Sequence, residues 1–179
     1  MVPTPDRAPR LGLLVGLCLV VAGAGVMVFA LLDSSESAPP PAADIAAVLD
    51  APRPADAPFT ALTEVALAVG DDCLRVVVAD SEAERGQGLR GHPELGGYDG
   101  MLFVNESDST SGYTMSYVTV PLDIGWYARD GELVDRTEME PCPRGGPDCP
   151  LYSADDRYRF GLETLRGELP TGSLGGCPS

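Results

Sequence analysis

Asp80, Arg85 and Asp123 are the polar residues inside the strongest motifs of this chain. Two carboxylates can divide acid–base work between them or hold a cation. A guanidinium between two carboxylates can instead bond both and tie two elements together. The spacing fixes no distance between Asp80 and Asp123, so the structural ion pair is the favoured account and the catalytic pair its rival. His92, the single histidine, precedes Pro93 in a loop-like stretch. A loop histidine without a G-x-S-x-G elbow is poor material for a hydrolase triad. Neither a phosphate-cradling glycine loop nor an HExxH pair occurs. The sequence therefore points to no cofactor and no metal.

Cysteine offers the second chemistry. Cys73, Cys142, Cys149 and Cys177 follow the N-terminal region, while Cys18 lies in an apolar run and reads as a small hydrophobe. Four cysteines in an oxidising compartment suit two disulfides, and three pairings are open. The favoured one joins Cys142 to Cys149 around a loop of proline and glycine, and Cys73 to Cys177, pinning the end of the chain to an early strand. A zinc site prefers close C-x-x-C pairs, which are absent. A redox dithiol prefers tighter spacing at a helix start.

Composition narrows the partners. The chain of 179 residues carries 27 acids and 12 basic residues, all arginine. From Leu62 onward, 21 acids face 9 arginines, a net charge of −12. Such a surface repels phosphate backbones, which argues against nucleic acid. An acidic, soluble surface accounts for the charge without a specific partner.

The elements that must position these residues begin after an apolar front. Leu11 to Leu32 is a run of 22 residues without charge. As a helix it would span roughly 33 Å, against a hydrocarbon core of about 30 Å. Arg7 and Arg10 precede it, and Asp33 and Glu36 follow, so the N-terminus is expected in the cytoplasm and the remainder outside. A cleaved signal peptide ending near Ala22-Gly23-Ala24 is the rival reading. It leaves eight further apolar residues unexplained. Residues 33–61 hold six prolines and read as a spacer, with one or two helical turns at most over Asp44 to Leu49.

Residues 62–179 read as a small, mainly β domain, a sandwich or partly closed barrel with one short helix. Expected strands are Thr63 to Ala68, Leu74 to Val78, Gly100 to Val104, Tyr113 to Val120, Leu122 to Ala128, Glu132 to Met139 and Tyr158 to Leu162. Asp130-Gly131 marks a hairpin. Ser81 followed by Glu84 forms a capping box that opens a helix reaching about Leu89. Asn105 to Gly112 reads as polar loop.

Val78-Ala79-Asp80-Ser81, Glu84-Arg85 and Gly88-Leu89 form an ordered set with Gly100-Met101-Leu102-Phe103-Val104. Met115, Pro121-Leu122-Asp123-Ile124, Pro141-Cys142, Cys149-Pro150-Leu151-Tyr152, Phe160, Leu162 and Glu163 continue it. In order and spacing this set resembles the "domain of unknown function" 192 family, DUF192, from Leu62 to about Gly167. The resemblance implies a compact, mainly β domain, often behind a membrane anchor or signal, and no established activity. It adds Met115 to Asp80, Arg85 and Asp123 as a candidate site position. The family usually has lysine, asparagine and threonine after that methionine, where this chain has Ser116, Tyr117 and Val118. The C-terminal extension after Gly167 is short.

The resulting expectation is a plasma-membrane protein with an extracytoplasmic, non-catalytic module that binds an envelope component or another protein. An envelope hydrolase using carboxylates is the alternative, and a thiol–disulfide protein a third.

Overall fold

The computed structural model describes residues 45–178. The expected cytoplasmic segment 1–10, the membrane helix 11–32 and the spacer through residue 44 lie outside the described residues.

The described chain opens with helix α1 (Ile45–Leu49) and strand β1 (Arg53–Pro54). The hairpin β2 (Thr63–Val69) and β3 (Asp72–Ala79) follows, turning at Gly70. Gly70 has φ +59°, and a β-carbon there would overlap the Thr171 carbonyl, so glycine is the residue this turn admits. Helix α2 (Glu82–Gln87) leads to β4 (Gly100–Ser109) and the short β5 (Tyr113–Thr114). Next come the hairpin β6 (Leu122–Tyr127) and β7 (Leu133–Met139), β8 (Leu151–Tyr152), β9 (Tyr158–Leu165) and β10 (Leu174–Gly176).

Eight strands form one mixed sheet in the order β1-β2-β3-β4-β9-β6-β7, with β10 also pairing β2. Every pair is antiparallel except β3 with β4. Parallel neighbours need a crossover connection, and α2 with the loop after it supplies one. β5 and β8 make a separate two-stranded ribbon. The domain is thus mainly β around an open mixed sheet.

Both faces of the sheet are covered. Val77, Met101, Phe103, Ile124 and Trp126 share one apolar layer with Leu89, Met115 and Val118 from the connections. Val65, Leu67, Val76, Leu102, Leu162 and Leu174 form the other, joined by Ile45. All six residues of β6 are buried, because it lies between β9 and β7 beneath both layers. A strand buried on both faces loses clean alternation, which is why Asp123 and Tyr127 are interior residues.

Three sequence expectations are corrected. The spacer does not extend to residue 61. Ile45 is 4% exposed, Ala55 and Phe59 are buried, and Arg53 and Pro54 pair with Glu64 and Thr63, so the folded domain includes residues 45–61. The one or two helical turns allowed over Asp44 to Leu49 form as α1. Asn105 to Ser109 continues β4 rather than forming a loop, with a register shift against β9 between Val104 and Ser109. Tyr113 to Val120 is not one strand: β5 ends at Thr114, and Tyr117 has φ +64°, a left-handed conformation that breaks any ladder. The capping box forms as expected, with Ser81 Oγ accepting from the Glu84 N–H at 3.3 Å and the Ser81 N–H donating to Glu84 Oε2 at 2.9 Å.

Candidate functional site

Asp80 and Asp123 are not brought together. β4 and β9 lie between β3 and β6, and three inter-strand steps of about 4.8 Å separate the two by roughly 14 Å across the sheet. They are offset along it too, because the row through Ala79 passes Phe103 and Gly161 to Trp126, three residues beyond Asp123. Asp80 is exposed. Partial loss of water around its carboxyl, and then the neighbouring Glu84 carboxyl, raises its pKa, while the Ser81 backbone N–H lowers that of Glu84.

Arg85 binds backbone. Its Nη1 donates to the Asp80 carbonyl and, at 2.9 Å, to the Val104 carbonyl. It thereby fastens α2 to the end of β3 and to β4. Among the described residues it forms no ion pair with either aspartate, so the expected bridge between two carboxylates is replaced by a clamp on two carbonyls. Asp123 accepts the Gly167 N–H at 2.8 Å through Oδ2, and its buried Oδ1 has no partner among the described residues. Met115 is 1% exposed and belongs to the apolar layer. His92 packs against Phe59 with ring centroids 4.6 Å apart. Both favoured disulfides form, Cys73–Cys177 and Cys142–Cys149.

The site with chemical potential lies elsewhere, at Glu163. On β9 this residue stands between Met101 of β4 and Ile124 of β6, with Val77 beyond Met101. Residues directly opposite on neighbouring strands share a face, so the carboxyl rises into an apolar layer. It is 6% exposed, no hydrogen bond reaches its carboxyl from the described residues, and its oxygens open onto the cavity rather than being sealed in the interior as Asp123 Oδ1 is. Burial alone pushes its pKa up to about 8, because an ion largely withdrawn from water and without a partner is costly. Near neutral pH the group is mostly a neutral acid.

Glu163 lines a cavity of about 470 Å³. Phe103, Tyr113 and Tyr158 form its aromatic walls, and Arg85, Arg90 and Asn105 lie on its polar side. Tyr113 comes from the β5–β8 ribbon and packs edge-on against Phe103 at 5.2 Å and Trp126 at 6.1 Å. Tyr158 donates its hydroxyl to the Ser111 carbonyl at 2.5 Å, which holds the loop before β5. Burial raises the pKa of both tyrosines, so they stay neutral.

The ribbon over the cavity is stapled. Cys142 and Cys149 flank the loop before β8, Cys142 bridges Ser116, and its carbonyl accepts the Tyr117 N–H at 2.9 Å. The residues departing from the family pattern lie here: Ser116 Oγ is 3.1 Å from Thr114 Oγ1, Tyr117 is 55% exposed, and Val118 lines the cavity. In the sequence, Glu163 stands one position past the expected strand Tyr158 to Leu162, as a member of the family-like set with no role attached. The available signal was an acid placed two residues after Gly161 and in step with it, directly after the apolar Leu162.

The family model for DUF192, described as an uncharacterised group, matches residues 65–172. The chain belongs to this family. A Novosphingobium aromaticivorans crystal structure of unknown function aligns with TM-score 0.57 at 23% identity, covering 72% of this chain and 95% of that one. A Sinorhizobium meliloti protein described as a candidate transcription regulator aligns with TM-score 0.53 at 22% identity, covering 63% and 92%. At these identities the likeness establishes the fold. No curated protein matches the chain.

Proposed function

We propose that this protein is a membrane-anchored, extracytoplasmic binding module that holds a small ligand in the Glu163 cavity. The carrying observation is the Glu163 carboxyl itself, nearly fully buried at the cavity and without a hydrogen-bond donor from the described residues. The carboxyl oxygens open onto the cavity, where a donor on a ligand can complete them. The reading is non-catalytic because Asp80 and Asp123, the carboxylates a hydrolase would share, stand far apart on the sheet.

Anchoring rests on the uncharged run Leu11 to Leu32 and the arginines before it. The two disulfides support an oxidising compartment. The regulator description of the Sinorhizobium relative does not carry over, because a net charge of −12 from Leu62 onward opposes DNA.

A thermal-shift screen of small molecules on the full-length protein in detergent tests the binding reading. Compounds that raise the melting temperature of the wild type but not of Glu163→Gln are expected. A screen whose hits act equally on both proteins would refute it. Protease added to intact cells tests the topology: the outer domain should be degraded, and its survival would refute the extracytoplasmic assignment.

A further inference from the structure

We propose that the ligand of this cavity carries a single ammonium group that pairs with Glu163. This rests on the binding reading above and names its substrate class. The carboxyl opens onto the cavity, has four acceptor positions when ionised and meets no donor from the described residues. The backbone of β9 is committed to its ladders with β4 and β6, and the side chains directly beside Glu163, Met101 and Ile124, have no N–H or O–H to give. An ammonium supplies both donors and the compensating charge.

The walls fit the same ligand. Phe103, Tyr113 and Tyr158 line the cavity, and aromatic rings attract cations that have left water. The acidic surface raises the local concentration of cations. The charged groups of the cavity also set a limit. Arg85 is held by two carbonyls and cannot enter to neutralise Glu163. With Arg90 it outweighs Glu82 at the cavity, so a second positive charge on the ligand is disfavoured. Tyr113 and Tyr158 remain neutral beside the acid. The ligand class is therefore a monoamine with an uncharged or anionic remainder, not a polyamine.

Proton linkage distinguishes this ligand from others of the same size. Free Glu163 is mostly protonated at pH 7, because burial pushes its pKa up to about 8. Pairing with an ammonium ejects that proton, so about one proton should leave per ligand bound. A neutral ligand ejects none.

The test is calorimetry on the full-length protein in detergent at pH 7, in two buffers of different ionisation enthalpy, with benzylamine, benzyl alcohol and benzoate as probes. Benzylamine is expected to bind at least tenfold more tightly than the other two, releasing close to one proton, and Glu163→Gln should lose both the binding and the release. If benzyl alcohol or benzoate binds more tightly in a Glu163-dependent way, or benzylamine binds without proton release, the ammonium assignment is overturned and the binding reading stands. If none of the three shows Glu163-dependent binding, both are overturned. The proton count comes from the wild type and does not depend on the variant folding.

Discussion

The Tyr113 hydroxyl lies over the backbone of Gly161, in space that a β-carbon would fill. Gly161 shares its sheet face with Phe103 and Trp126, its partners on β4 and β6. Its missing side chain lets the ribbon's tyrosine settle onto the sheet and wall the Glu163 cavity. The phenol is fixed by three aromatic neighbours, Phe103, Trp126 and Tyr158.

Gly161→Ala should therefore push Tyr113 off its seat. Overpacking of a well-filled site costs about 1–3 kcal/mol. Urea denaturation should show that loss, and the Trp126 emission should shift as its neighbour moves. Unchanged stability and emission would mean that Tyr113 does not rest there.

Glu163→Gln should stabilise the protein at neutral and alkaline pH. The folded pKa, about 8, lies above the ordinary 4.5. Between these values the folded state holds a proton that the unfolded state has lost, so stability falls as pH rises from 4.5 to 8 and levels off beyond. At about 1.4 kcal/mol per pH unit, the wild type loses on the order of 5 kcal/mol across that window. The variant's stability should lack this slope when urea midpoints are compared at pH 5 and pH 8.

Arg85→Met should destabilise by roughly 2 kcal/mol, because a charged donor leaves two carbonyls. Asp80→Ala should change stability by less than about 0.5 kcal/mol, since Arg85 grips the Asp80 backbone and the side chain is exposed. Equal losses in the two variants would restore the carboxylate bridge. Asp123→Ala should cost about 1–3 kcal/mol by orphaning the Gly167 N–H, and Asp123→Asn less, because an oxygen remains to accept it.

Thiol counting should find no free cysteine among Cys73, Cys142, Cys149 and Cys177. The Cys73–Cys177 bridge spans 104 residues and the Cys142–Cys149 bridge 7. On the chain-entropy account they contribute about 4.7 and 2.5 kcal/mol. Replacing both Cys142 and Cys149 with serine should cost less stability than replacing Cys73 and Cys177. It should still raise hydrogen exchange at Tyr113 and Thr114, because the loop it frees precedes their partner strand.

Local signals were the legible ones. Ser81 and Glu84 lie three residues apart and satisfy each other, and the Pro–Gly loop around Cys142 and Cys149 announced its own closure. Pattern failed where tertiary context decides. Asn105 to Ser109 looks like loop but adds to β4, and the aromatic and β-branched residues of Tyr113 to Val120 imitate a strand that Tyr117 interrupts. Ile45 sits among alanines and prolines, and only packing against the second apolar layer makes it core. Glu163 carries no local signal of its role, because its significance depends on cover from Tyr113, fifty positions earlier. No local window contains that relationship.

The most direct test of this account is the ionisation of one carboxyl. Protein carrying carbon-13 in its glutamate side chains, titrated by NMR from pH 3 to pH 10 with Glu163→Gln to assign the resonance, reports it alone. A Glu163 midpoint near pH 8 that falls when benzylamine is added is the expected result. A midpoint near 4.5, indifferent to benzylamine, would contradict it.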